Sequence, residues 1–104
     1  MIVSTTDILA GKKIKKTLGI AKGNTVRSKH VGKDIIASLK TIVGGELKGY
    51  TEMLTEARQE AFNRMVNDAQ EMGADAILNM RFMTSSVTPQ AAEILAYGTA
   101  VKLT

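Results

Sequence analysis

The stretch GGELKGYTEMLTEARQEAFNRMVNDAQEMGADA, residues 44–76, decides how the rest of the chain is read. Leu54, Ala57, Ala61, Met65, Ala69 and Met72 recur at steps of three and four, and Met53, Phe62 and Val66 widen the stripe. That period is the signature of an amphipathic helix. The spacing predicts a helix over residues 51–72, with Thr51 as its N-cap, Glu52 in its first turn and Gly73 just past its end. Glu56, Gln59, Glu60, Asn63, Arg64, Asn67, Asp68, Gln70 and Glu71 fill the other faces. Three alanines on the stripe let another backbone come close, which suits a helix lying on a sheet or on a second helix.

Upstream, residues 34–43 change period. Ile35, Ile36, Leu39, Ile42 and Val43 form one helical stripe, with Asp34 in its first turn, Lys40 near its end and Gly44-Gly45 as its stop. Before that, residues 1–6 read as a short strand turning into the next, and residues 12–26 as a strand with Ile14, Leu18 and Ile20 on one face. Gly23-Asn24 marks a bend or bulge in it. After the long helix, Leu78, Met80 and Phe82 alternate with polar positions. Residues 85–90, with the lone Pro89, read as a hairpin loop, and residues 92–103 return as a strand with Leu95, Tyr97, Val101 and Leu103 on one parity. Gly98 within it points to a bulge or a close backbone approach. The order is β-β-α-α-β-β: an α+β fold, residues 1–104 as a single domain, with an antiparallel sheet covered by two helices.

A chain of 104 residues buries only about 65% of its unfolded surface, so assembly would add to its stability. Four aromatic residues leave the core to aliphatics, with six methionines as gap-fillers. With no cysteine, disulfides and thiolate sites are excluded, as suits a reducing cytosol. The first residues lack the form of a signal peptide, and no apolar run approaches the roughly 18 residues a membrane span needs. A cytoplasmic protein without membrane contact is the expectation. The net charge of +4 divides unevenly: residues 1–48 hold ten Lys/Arg against three Asp/Glu, or +7, and residues 49–104 hold four against seven, or −3. A basic half of this kind fits either acidic surfaces of the same or a neighbouring subunit, or nucleic acid.

Chemistry is sparse. His30 is the only histidine, and Asp34 stands one helical turn away, with Glu46 or Glu56 as more distant carboxylates. His30 and Asp34 are the candidate metal ligands, short of the three or four that a zinc site requires. The glutamates Glu52, Glu56 and Glu60 form a ladder along a helix, read as a solvated face. Ser4-Thr5-Thr6-Asp7 and Thr84-Ser85-Ser86 are rich in hydroxyls, but His30 is the sole imidazole base, and turn or strand-end roles explain them. Lys12, Lys13, Lys15, Lys16 and Arg27 would give nucleic acid only salt-sensitive, non-specific contacts, because stacking aromatics are missing. No catalytic residue, cofactor site or acid–base pair emerges, and the chain is read as non-enzymatic.

The segments VSTTD (3–7), KKIKKTLGIAKGNTVRSKHVGKD (12–34), IVGGELKGYTEMLTEAR (42–58), MGADAILNMRF (72–82) and ILAYGTAVKL (94–103) together resemble the YbjQ-like family. It comprises small uncharacterised bacterial and archaeal proteins that carry a heavy-metal-binding domain label. The resemblance covers essentially the whole chain. It implies a dodecin-like α+β unit and a homopentameric ring, in which the opposite charges of the two halves would meet between subunits. It supplies no catalytic residues. Metal or small-ligand binding at a subunit interface, around His30 and Asp34, is the alternative it leaves, and non-specific nucleic-acid binding is the second alternative.

Overall fold

A computed structural model describes residues 1–28, 48–88 and 91–104. Their elements are β1 (Ile2–Val3), β2 (Ile14–Ser28), α1 (Lys48–Glu71), β3 (Ala76–Thr88) and β4 (Ala91–Leu103). The expected helix over residues 34–43 lies outside the described residues. The strands form one sheet in the order β1-β3-β4-β2. Strand β4 pairs antiparallel with both β2 and β3, whereas β1 runs parallel to β3, with Ile2 opposite Ala76 and Val3 opposite Ile77. The sheet is therefore mixed, not antiparallel throughout. β1 does not turn back onto β2: the chain crosses to the other edge, and Leu9 packs on Ala76, Leu78 and Val101 on the way. Burial of that apolar side chain anchors the crossing where a tight hairpin would leave it in water.

Helix α1 covers one face of the sheet, above β2 and β4, and barely reaches β3. Its stripe behaves as the spacing dictates: Ala57, Ala61, Met65 and Ala69 are fully buried. The helix begins at least three residues before Thr51, so Thr51 is an interior position and not the cap. Its carbonyl instead accepts a hydrogen bond from the Thr55 hydroxyl. The other end is as read. Gly73 takes φ +80°, the Gly73 N–H donates to the Gln70 carbonyl at 3.0 Å, and the Ala74 N–H donates to the Ala69 carbonyl at 3.0 Å. These are the paired bonds of a Schellman cap.

Glycine decides how closely helix and sheet meet. A Cβ on Gly23 would sit 2.3 Å from the Met65 nitrogen and 2.4 Å from the Ala61 carbonyl oxygen. The helix backbone thus rests directly on β2. Gly23-Asn24 is not a bulge, since Gly23 pairs with Ala96 and Asn24 with Leu95 in regular register. The irregularities of β2 come earlier, between Ile14 and Lys16 and between Thr17 and Gly19. Each inserts one residue and resets which side chains point up. Leu18 consequently packs against the helix-side core, while Ile14 and Ile20 are left exposed on the other face.

A third irregularity, in β3, has the same consequence. Leu78 pairs with Thr99 and Arg81 with Tyr97, so Asn79 and Met80 together oppose Gly98. Asn79 takes φ +53°, and its N–H donates to the Thr6 carbonyl, while the Met80 N–H donates to the Ser4 carbonyl, both at 3.0 Å. A Cβ on Gly98 would meet Ile77 Cγ2 at 2.5 Å. Leu78 and Met80, one face by simple alternation, therefore lie on opposite faces: Met80 joins the helix-side core and Leu78 the cluster beneath Leu9. Strand β4 faces the helix with Ile94, Ala96 and Ala100, while Val101 and Leu103 belong to the other face. Strand β3 also runs on to Thr88, beyond the loop expected from residue 85. Alternating β-branched and hydroxyl side chains suit an extended chain, and only Pro89 and Gln90, outside the described residues, separate β3 from β4.

The described residues measure 53 × 23 × 17 Å. Fifteen residues of β2 at about 3.3 Å each account for the long axis. Among the described residues no helix is long and apolar enough to cross a membrane.

Candidate functional site

An opening of about 580 Å³ lies between α1 and the outer edge of β2, where Lys22, Asn24, Arg64, Asp68, Glu71 and Glu93 converge. It exists because α1 runs antiparallel to β2 and overhangs that edge. Several of the polar groups there already serve one another. Asp68 Oδ2 accepts the Lys22 backbone N–H at 2.9 Å, and Asn24 Nδ2 donates to Glu93 Oε2 at 3.2 Å. Arg64 donates to the Asn24 carbonyl and also pairs with Glu60, which pairs in turn with Arg27. Asp68 and Arg64 thus satisfy outward-pointing backbone groups of β2. The opening brings together no nucleophile and base, and its Asp68, Arg64, Asn24 and Glu93 side chains are held in these bonds.

Of the residues singled out in the sequence, His30, Asp34 and Glu46 lie outside the described residues. Glu56 and Glu52 are exposed on α1, and only Glu60 of the ladder is drawn into contacts. Ser4 and Thr6 spend their hydroxyls on a local turn: the two oxygens are 2.6 Å apart, Thr6 N–H donates to Ser4 Oγ at 3.0 Å, and Thr6 Oγ1 donates to the Ile8 carbonyl at 2.6 Å. Thr84, Ser85 and Ser86 are exposed on β3. Lys12 and Lys13, just before β2, and Lys15 and Lys16, at its start, are exposed. Among the described residues no group of three or more His, Cys, Asp or Glu is placed to hold a metal ion.

What periodicity did not reveal is the amount of apolar surface left outside. Ile20 is 68% exposed, Val26 54%, Met83 55% and Phe82 46%. Ile20 pairs with Thr99 and Val26 with Glu93, and Met83 pairs with Leu95, which places all three on the face opposite α1. Phe82 lies on the helix side, where it lines a shallow groove with Thr55, Arg58, Gln59 and Phe62. The core beneath α1 is meanwhile thin. Six of its buried residues are alanines, and its largest fully buried side chains among the described residues are Met65, Ile77 and Ile94.

Among the described residues, one helix laid on a mixed four-stranded sheet defines a small α+β domain. The chain belongs to the YbjQ family, whose model, described as "Putative heavy-metal-binding", matches residues 1–104. It is 63% identical over 103 residues to a UPF0145 protein of Methanosarcina acetivorans, covering 99% of this chain and 97% of the relative. A UPF0145 protein of Photobacterium profundum is also 63% identical, with 99% of each chain covered. Relatives come from archaea as well as bacteria. A crystal structure of a protein of unknown function of the DUF74 family, from Pediococcus pentosaceus, superposes with a TM-score of 0.69 over 100% of this chain and 98% of that one, at 18% identity. That likeness concerns the fold.

Proposed function

We propose that this chain is a cytoplasmic, non-enzymatic building block of a homo-oligomeric ring of five copies. The carrying observation is the distribution of apolar surface: alanines inside, and Ile20, Val26, Met83 and Phe82 outside. Fully burying a side chain of that size contributes about 1.5–3 kcal/mol, roughly half of which an isolated chain forgoes at each of these positions. The charge division, +7 over residues 1–48 against −3 over residues 49–104, favours head-to-tail contact, the arrangement that closes a ring. Sedimentation equilibrium at micromolar concentration tests this, with five times the chain mass expected. A monomer there defeats the reading.

The family's description favours a second reading, a metal or small ligand held at a subunit interface around His30 and Asp34. The donor set fits a soft heavy metal poorly, since the chain has no cysteine and one histidine. Borderline divalent ions such as zinc are the better match to imidazole and carboxylate. Calorimetric titration with zinc, repeated on His30→Ala, separates the cases. Identical weak titrations eliminate the histidine as a ligand.

A further inference from the structure

The sheet has two outer edges, and they are treated differently. Along β2, Asp68 bonds the Lys22 N–H, Arg64 bonds the Asn24 carbonyl, and Arg27 is tied to Glu60. The register is broken between Ile14 and Lys16 and between Thr17 and Gly19, and Lys15, Lys16 and Lys22 line the strand. Bulges, lysines and covered backbone groups are the devices by which proteins keep a strand edge from pairing with its own kind. The outer edge of β3 carries its own bulges, at Asn79-Met80 and between Ser86 and Thr88, but over residues 82–85, between them, it has neither bulge nor charge. β1 pairs only at Ala76 and Ile77, and the Ser4 and Thr6 carbonyls reach only as far as Met80 and Asn79. Residues 82–85, Phe-Met-Thr-Ser, are uncharged and exposed, keep regular register with β4, and have no strand outside them among the described residues.

Resting on the homo-oligomer reading, we propose that the outer edge of β3 at residues 82–85 is a subunit seam, completed by the β2 side of a second copy of this chain. Three observations select that occupant. The β2 side is the basic one, and the half of the chain containing α1 and β3 carries the opposite net charge. An uncharged acceptor strand sets no like charge against incoming lysines. The second copy also brings exposed Ile14 and Ile20 to a seam that offers exposed Phe82 and Met83. Burial of these apolar side chains gives affinity, and the side chains of β2, not its covered backbone, close over the β3 edge.

The test compares the full-length wild type with Met83→Lys/Thr84→Lys, which gives β3 the edge lysines that β2 already has. Both positions are exposed, so the fold is retained and far-UV circular dichroism verifies it. The wild type is expected to sediment as an oligomer and the variant as a folded monomer. A folded variant that keeps the wild-type mass overturns the seam and leaves the oligomer reading standing. A wild type that remains monomeric overturns both and assigns the edge to a different partner. Hydrogen exchange on the wild type decides independently of the variant's folding: the amides of residues 82–85 should be protected in the assembly and lose protection on dilution to monomer. Amides that exchange as freely in the assembly as in the monomer overturn the seam. Lys15→Glu/Lys16→Glu should weaken the assembly and reduce its sensitivity to salt, and an unchanged assembly overturns the β2 side as the occupant.

Discussion

The β2 and β3 edges of one sheet show what a helix does besides burying a face. Where α1 overhangs the sheet, at β2, its flank supplies Asp68, Arg64 and Glu60 to backbone and side chains at the rim. Where α1 fails to reach, at β3, the strand runs past the helix with Phe82 and Met83 in water. The difference comes from where the smallest residues stand. Gly23 lies under Ala61 and Met65, which draws the helix toward β2 and away from β3. The same chain therefore closes one edge and leaves the other available for association.

The strongest way to break this contrast is Gly23→Ala. The new methyl meets helix backbone at both Met65 and Ala61, which yields less readily than a side chain, so α1 must lift. A loss of about 3 kcal/mol, the upper part of the range for overpacking, is expected in urea unfolding. A midpoint within error of wild type would show that the helix is not seated on β2. Next comes Asp68→Ala, which removes the acceptor for the Lys22 N–H while leaving α1 in place. The expected cost is about 1 kcal/mol, accompanied by faster amide exchange at Lys22, and unchanged exchange there would mean that the rim is not capped by this carboxylate.

Glu60→Gln tests the Arg27–Glu60–Arg64 chain. The side chains of Arg27 and Glu60 are about one-third exposed and that of Arg64 half exposed. Solvent screening therefore holds the loss to about 0.5 kcal/mol, shrinking as salt is added. A loss insensitive to salt would point to packing and not charge. The smallest effect concerns Thr25, on the inner face of β2, whose buried hydroxyl lacks a hydrogen-bond partner. Thr25→Val keeps the shape and removes the unsatisfied group, so stability should be unchanged or rise by about 1 kcal/mol. A clear loss would reveal a partner for that hydroxyl.

Local pattern was a good guide wherever the physics is local. The step of three and four from Leu54 to Met72 set the buried stripe of α1, and Gly73 ended the helix because the left-handed cap costs glycine nothing. The same pattern misplaced its start at Thr51, because a cap residue and an interior residue look alike when the chain ahead continues helical. Alternation in the strands was less reliable. One inserted residue inverts every later side chain, and the insertions at Lys15, at Leu18 and within Asn79-Met80 carry no marker apart from the partner strand. The expected metal ligands, His30 and Asp34, lie outside the described residues, while the seam emerged from exposure and pairing, neither of which a one-dimensional pattern contains.

By itself, then, the sequence determined the class of element at most positions, the helix face that is buried, the scarcity of catalytic groups and the family. These follow from spacing and residue type, which act over a few residues. Only the tertiary structure decided that β1 crosses to lie parallel beside β3, that Gly23 marks close approach, and that β2 is a guarded edge where β3 at residues 82–85 is not. Each of those depends on a partner far along the chain, and which backbone groups remain unpaired is known only once every strand has its neighbours.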